Sequence, residues 1–141
     1  MSFILLIPWI TSLLFSYPSG IPEQTLGHLD NKKLEIIQFA YNKAVENGVS
    51  PDKFVRLINC ESRLEKKAKG DWSEGKKEHL SKGILQFQKP TFNKFSKIYG
   101  LKGKYLDPYD QIELAVLMIQ GGGWKHWFNC SIYSTLNKDY E

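Results

Sequence analysis

Four helix starts, each answered by a stop, punctuate this chain between residues 30 and 123 and leave little room for a sheet. Asp30 stands as an N-cap before Leu34, Ile37, Phe39, Ala40 and Val45, and Asn47-Gly48 closes that run. Ser50 as N-cap and Pro51 at the first helical position open a second predicted helix, which the apolar residues Phe54, Leu57, Ile58 and Leu64 carry to residue 64. A third is predicted from Pro90 to Tyr99, ended by Gly100. Asp107-Pro108 begins a fourth, with Ile112, Ala115, Val116 and Ile119 facing inward. Gly121, Gly122 and Gly123 break it, and Trp124, Trp127 and Phe128 begin a last helical piece. Lys66 to Lys82 is polar and reads as a loop with room for a short hairpin, while the apolar run Gly83 to Phe87 reads as a buried strand-like passage. At 141 residues the chain can build one core and is too short for two ordinary domains.

On the second predicted helix Glu61 falls seven residues after Phe54, four after Leu57 and three before Leu64, which puts a carboxylate on the buried stripe. Burial penalises its charged form, so its pKa should rise and its proton should persist towards neutral pH, as a general acid requires. A structural acid paired with Arg56, Arg63 or a lysine would satisfy the same helix phase.

Around Glu61 the chain reads Cys60-Glu61-Ser62, and about twenty residues on come Gly83-Ile84-Leu85-Gln86-Phe87 and then Thr91-Phe92. In order and spacing these motifs resemble the lytic transglycosylase and goose-type lysozyme superfamily. Its members carry Glu-Ser at a helix end and then a Gly-Leu-hydrophobic-Gln-hydrophobic run leading into the next helix. The resemblance extends to Asp107-Pro108, to Gln111 and its apolar helix, and to a closing Trp127 with Cys130, so it covers residues 45 to 130. It implies a mostly α, lysozyme-like (α+β) single domain with little sheet, acting on the glycan strands of peptidoglycan. Two features depart from the pattern. The usual Ala-Tyr-Asn-Ala-Gly stretch is absent, with Gly121 to Trp124 and Trp127 in its place, and Lys89 stands where proline is frequent.

For a lytic transglycosylase the resemblance implies a single catalytic carboxyl group, Glu61. As acid it protonates the glycosidic oxygen while the substrate's N-acetyl group assists at the anomeric carbon; as base it takes the proton of the sugar's own C6 hydroxyl, leaving a 1,6-anhydromuramyl end. Asp71 is the candidate second carboxylate, matching the aspartate with which goose-type lysozymes orient water, and it would make the chain a muramidase; an Asp after Gly70 also commonly caps its own turn. A non-catalytic peptidoglycan-binding domain of the same fold is the third reading. The expected substrate contacts are Ser62, Asp71, Gly83, Gln86, Phe87 and Tyr109, with Trp72, Tyr99 and Tyr105 as further stacking candidates that could equally be core.

Residues 3 to 15 are almost wholly apolar and uncharged, so residues 1–20 are expected to be a signal peptide or an N-terminal anchor, 21–29 a linker, and 30–141 the domain. A secreted, periplasmic or wall-associated location follows, with membrane contact only through an uncleaved leader. In an oxidising compartment Cys60 and Cys130 would pair; the alternative is two buried free thiols. The net charge of +4 suits an anionic polymer, but the lysines look scattered along the sequence, which argues against nucleic acid. His28, His79 and His126 share no ligand spacing, so surface or packing roles, no metal and no cofactor are expected. A monomer is expected.

Overall fold

The computed structural model describes residues 30–70 and 80–130. The expected leader and linker, Asp71, Trp72, His28 and His79 lie outside them. Four α-helices and one 3-10 turn make up the described regular structure, with two isolated β-bridges and no strand. None of these helices is long and apolar enough to cross a membrane.

Helix α1 (Asn31–Glu46) starts where Asp30 accepts a hydrogen bond from the Lys33 amide at 2.8 Å. It buries Ile36, Ala40 and Ala44, which share one face at four-residue spacing. Helix α2 (Pro51–Ser62) begins at the expected proline, but the Ser50 side chain makes no capping bond. It also stops short of the predicted residue 64. Arg63 and Leu64 turn into the left-handed region, at φ 53° and 64°, and this reversal lets Leu64 drop into the core after the helix has ended. Helix α3 (Lys89–Ile98) takes Pro90 in its first turn and buries Phe92. Helix α4 (Pro108–Gln120) is capped by Asp107, whose side chain accepts from the amides of Tyr109 and Asp110. It is the central helix: α1, α3 and the 3-10 turn Gly123–Trp127 all pack on it, and α1 packs also on α2.

Gly83 to Phe87 corrects the sequence-based expectation. The segment is a tight loop rather than a strand, because Gly83 and Gln86 both sit at positive φ, 84° and 50°, and the Gln86 amide bonds back to the Gly83 carbonyl. Ile84 and Leu85 are fully buried all the same. An extended strand would pair its backbone groups along a ladder, and this loop sends them to side chains. Gln111, itself fully buried on α4, accepts from the Leu85 amide at 3.0 Å through Oε1. Its Nε2 donates to the carbonyls of Lys82 at 3.1 Å and Tyr105 at 2.8 Å. Trp127 adds an indole bond to the Leu85 carbonyl at 2.8 Å. Gly83 is obligatory twice over: it takes a left-handed φ, and a Cβ there would collide with the Gln111 amide.

Replacing Gln111 by leucine keeps the volume and strands three backbone groups, so urea denaturation should show a loss of about 3 kcal/mol or more. The Cys60–Cys130 disulfide joins residues 70 apart in sequence. On a chain-entropy argument, its removal by a paired serine replacement should cost up to about 4 kcal/mol in the same assay.

Candidate active site

Glu61 is the penultimate residue of α2 and is half-buried. Burial alone pushes its carboxyl above the ordinary glutamate value, and no ion pair joins it to a described residue. The expected alternative, a pairing with Arg56, Arg63 or a lysine, is therefore not formed among the described residues. Ser62 is buried and turns its hydroxyl back along the helix to donate to the Ile58 carbonyl at 3.3 Å.

The adjacent residue, Cys60, is exposed and bridged to Cys130, with Cα atoms 5.7 Å apart. One peptide step of about 3.8 Å separates the Cα of Glu61 from that of Cys60, so Glu61 lies within roughly 9.5 Å of Cys130 at the backbone. Lys53, seven residues before Cys60 on the same face of α2, lies 4.4 Å from the centre of the Trp124 ring. The segment from Trp124 to Cys130 is therefore held along α2 at two points.

That segment also forms one wall of a groove of about 240 Å³ lined by Ser81, Gln86, Phe87, Gln88, Thr91, His126 and Trp127. The Gln86 amide donates through Nε2 to the Gly83 carbonyl at 2.7 Å, and the Gln86 Oε1 lies where a Cβ on Gly70 would stand. Gly70 thus packs as closely on the Gln86 side chain as Gly83 does on that of Gln111, and neither position has room for a Cβ. Phe87 is 3% exposed and meets Phe92 and Trp127 edge-on at 5.6 and 5.4 Å. Tyr105 donates its hydroxyl to the Phe87 carbonyl at 2.7 Å, and burial raises its pKa.

Of the candidates singled out from sequence, the groove brings together Gln86 and Phe87. Gly83 is buried beneath it against Gln111, and the Tyr109 ring instead packs edge-on to Phe39 at 4.9 Å. Glu61 does not line the groove; the Cys60–Cys130 bridge and the residue 63–70 segment connect it to the groove's edges. The sequence assigns His126 a surface or packing role. It does pack, 5.1 Å from the Phe95 ring, but it also lines the groove, and burial, Lys125 and Lys94 hold its imidazole below the ordinary value. Its adjacency to Trp127 was the only signal in the sequence.

A carboxyl whose pKa is raised by folding favours the folded state fully below its unfolded pKa, and this contribution is lost as pH rises through the folded value. Glu61→Gln has no such loss. In thermal melts it should unfold above the parent at neutral pH, and the gap should close as the pH falls below the ordinary carboxylate range.

Compared with known proteins, the chain matches the family model described as Transglycosylase SLT domain over residues 38–122, the stretch that carries α2, Glu61, the Gly83 to Phe87 loop and α4. Neither the curated proteins nor the solved structures yield a match. With more than half of its length matched, and with a mostly helical fold built around the two motif segments, this chain belongs to the transglycosylase SLT domain family.

Proposed function

We propose that the chain is an exported lytic transglycosylase that cuts the glycosidic bond between N-acetylmuramic acid and N-acetylglucosamine in peptidoglycan, with Glu61 as its only catalytic carboxyl group. The observation that carries this reading is the state of Glu61: a carboxyl raised by burial, with no ion pair to a cation among the described residues. Family membership supplies the class of bond and polymer.

In the first step the Glu61 proton passes to the leaving glycosidic oxygen as the C1–O bond breaks, and the carbonyl oxygen of the substrate's N-acetyl group bonds to C1. In the second, the C6 hydroxyl oxygen attacks C1, its proton goes to the Glu61 carboxylate, and the acetamido oxygen leaves. Glu61 ends as it began, protonated, and no water enters. Gln86 is proposed to orient the sugar: its Nε2 is held by Gly83, which leaves Oε1 as the acceptor for a substrate hydroxyl or amide. The Phe87 and Trp127 rings give the groove an apolar floor for a sugar face. Ser62 serves by fixing the helix end beneath Glu61, and the disulfide suits a compartment outside the cytosol.

Mass spectrometry of wall digests should find anhydromuramyl ends, lighter by one water than hydrolysed ends, and Glu61→Gln should abolish them. Products that carry the added water would make the chain a muramidase and bring Asp71 forward as its water-orienting partner. Binding without cleavage by the parent would leave a wall-binding domain. As pH rises, cleavage should fall away through the raised pKa of Glu61, because only the protonated form is active.

A further inference from the structure

Lysines that look scattered along the sequence gather in space beside the proposed acid. Of the seven residues from Arg63 to Lys69, four are cationic, and the one carboxylate among them, Glu65, already faces Lys33 in an ion pair. The start of α1 folds against this stretch, and together they line a groove of about 290 Å³ that includes Lys32, Lys66 and Lys67, with Asp30 engaged in capping α1 and Glu65 paired with Lys33. None of these three, nor Lys69, has an ion-pair partner among the described residues.

The most telling position is Lys69. It stands directly opposite Lys82 in an antiparallel bridge, flanked by bonds from the Gly70 amide to the Ser81 carbonyl and from the Gly83 amide to the Ala68 carbonyl. This is the non-hydrogen-bonded type of pair, in which facing side chains leave the same side of the ladder at their closest. Like charges so placed repel, and a bound anion would convert that repulsion into attraction. The strip begins two residues after Glu61 and ends at Gly70, which packs against Gln86. It therefore runs between the two residues assigned to the glycosidic bond.

We propose that this cationic strip, centred on Lys66, Lys67, Lys69 and Lys82, binds the carboxylates borne by the substrate strand, those of its peptide stems or, where a stem is missing, of the bare lactyl group, and so holds the glycan along the site. The identity of the strand rests on the proposed function; the anion site rests on the charges alone. Nucleic acid is the less favoured partner, because the strip adjoins Glu61 and the sugar groove.

The test is co-sedimentation of the purified chain with sacculi freed of phosphodiester polymers, across a salt series, using two charge-reversal variants. Lys66→Glu/Lys67→Glu/Lys69→Glu should bind about tenfold more weakly at low salt, whereas Lys97→Glu/Lys102→Glu/Lys104→Glu, with the same change in net charge, should bind nearly as the parent does. A Lys→Gln version of the first triple and matched thermal melts separate lost binding from lost folding. Converting the wall carboxylates to amides should erase the parent's advantage. Equal binding by both triples, indifference to amidation, loss of binding only when phosphodiester polymers are removed, or preferential binding of duplex DNA would each overturn the proposal. Glu61→Gln should bind like the parent. If the parent binds through the strip but cuts nothing, the strip stands and the enzymatic reading falls.

Discussion

A single buried amide fastens the loop that carries the sugar-facing residues to the rest of the molecule. Gln111 has no contact with solvent, and its three hydrogen bonds reach Lys82, Leu85 and Tyr105, so one α4 side chain fixes the start and the middle of the 82–87 turn and the approach to α4 itself. Inside a protein such a network rigidifies when every member is satisfied. The position of Gln86 depends on it, since Gln86 sits in the left-handed region with its neighbours on both sides pinned and its own two amides bonded to the Gly83 carbonyl. Trp127 adds a second fastening through Leu85, and from Trp127 the chain runs three residues to the disulfide that returns to α2.

The site is thus a mechanical circuit: α2 to Cys130, Cys130 to Trp127, Trp127 to Leu85, Leu85 through Gln111 to α4, and α4 by way of α1 back to α2. Glu61 and Gln86 are points on that circuit, and each adjoins backbone in an uncommon conformation, Arg63 and Leu64 after the one, Gln86 itself at the other. Non-glycine residues adopt such angles rarely and persist there only when packing over-determines them. Here the packing is visible, in the burial of Leu64 and in the bonds around Gly83.

How much of this could be read beforehand follows from which signals are local. Helix starts were legible wherever a cap and a proline coincide, as at Asp107-Pro108, and the phase of Glu61 relative to Phe54 and Leu57 followed from helical periodicity. The end of α2 was not legible. Leu64 continues the apolar period, but it reaches the core by a chain reversal that no glycine announces. The 83–87 loop misled for the same reason: an apolar run signals burial without signalling backbone shape, and its angles depend on a glutamine 26 residues away. Gln111 could be counted as part of a motif, but its three partners are a tertiary fact. His126 carries no sign of a groove in the sequence, because a lone histidine beside a tryptophan has no distinctive spacing, and only folding places it there.

The seating of Gly83 against Gln111 narrows the paths by which descendants of this chain can drift. A first step that enlarges residue 83 collides with the amide, and a first step that shortens residue 111 abandons three backbone groups in a dry interior. Neither intermediate is a gentle one, so lineages should keep the glycine and the glutamine as an inseparable couple, or lose both together with the loop they hold.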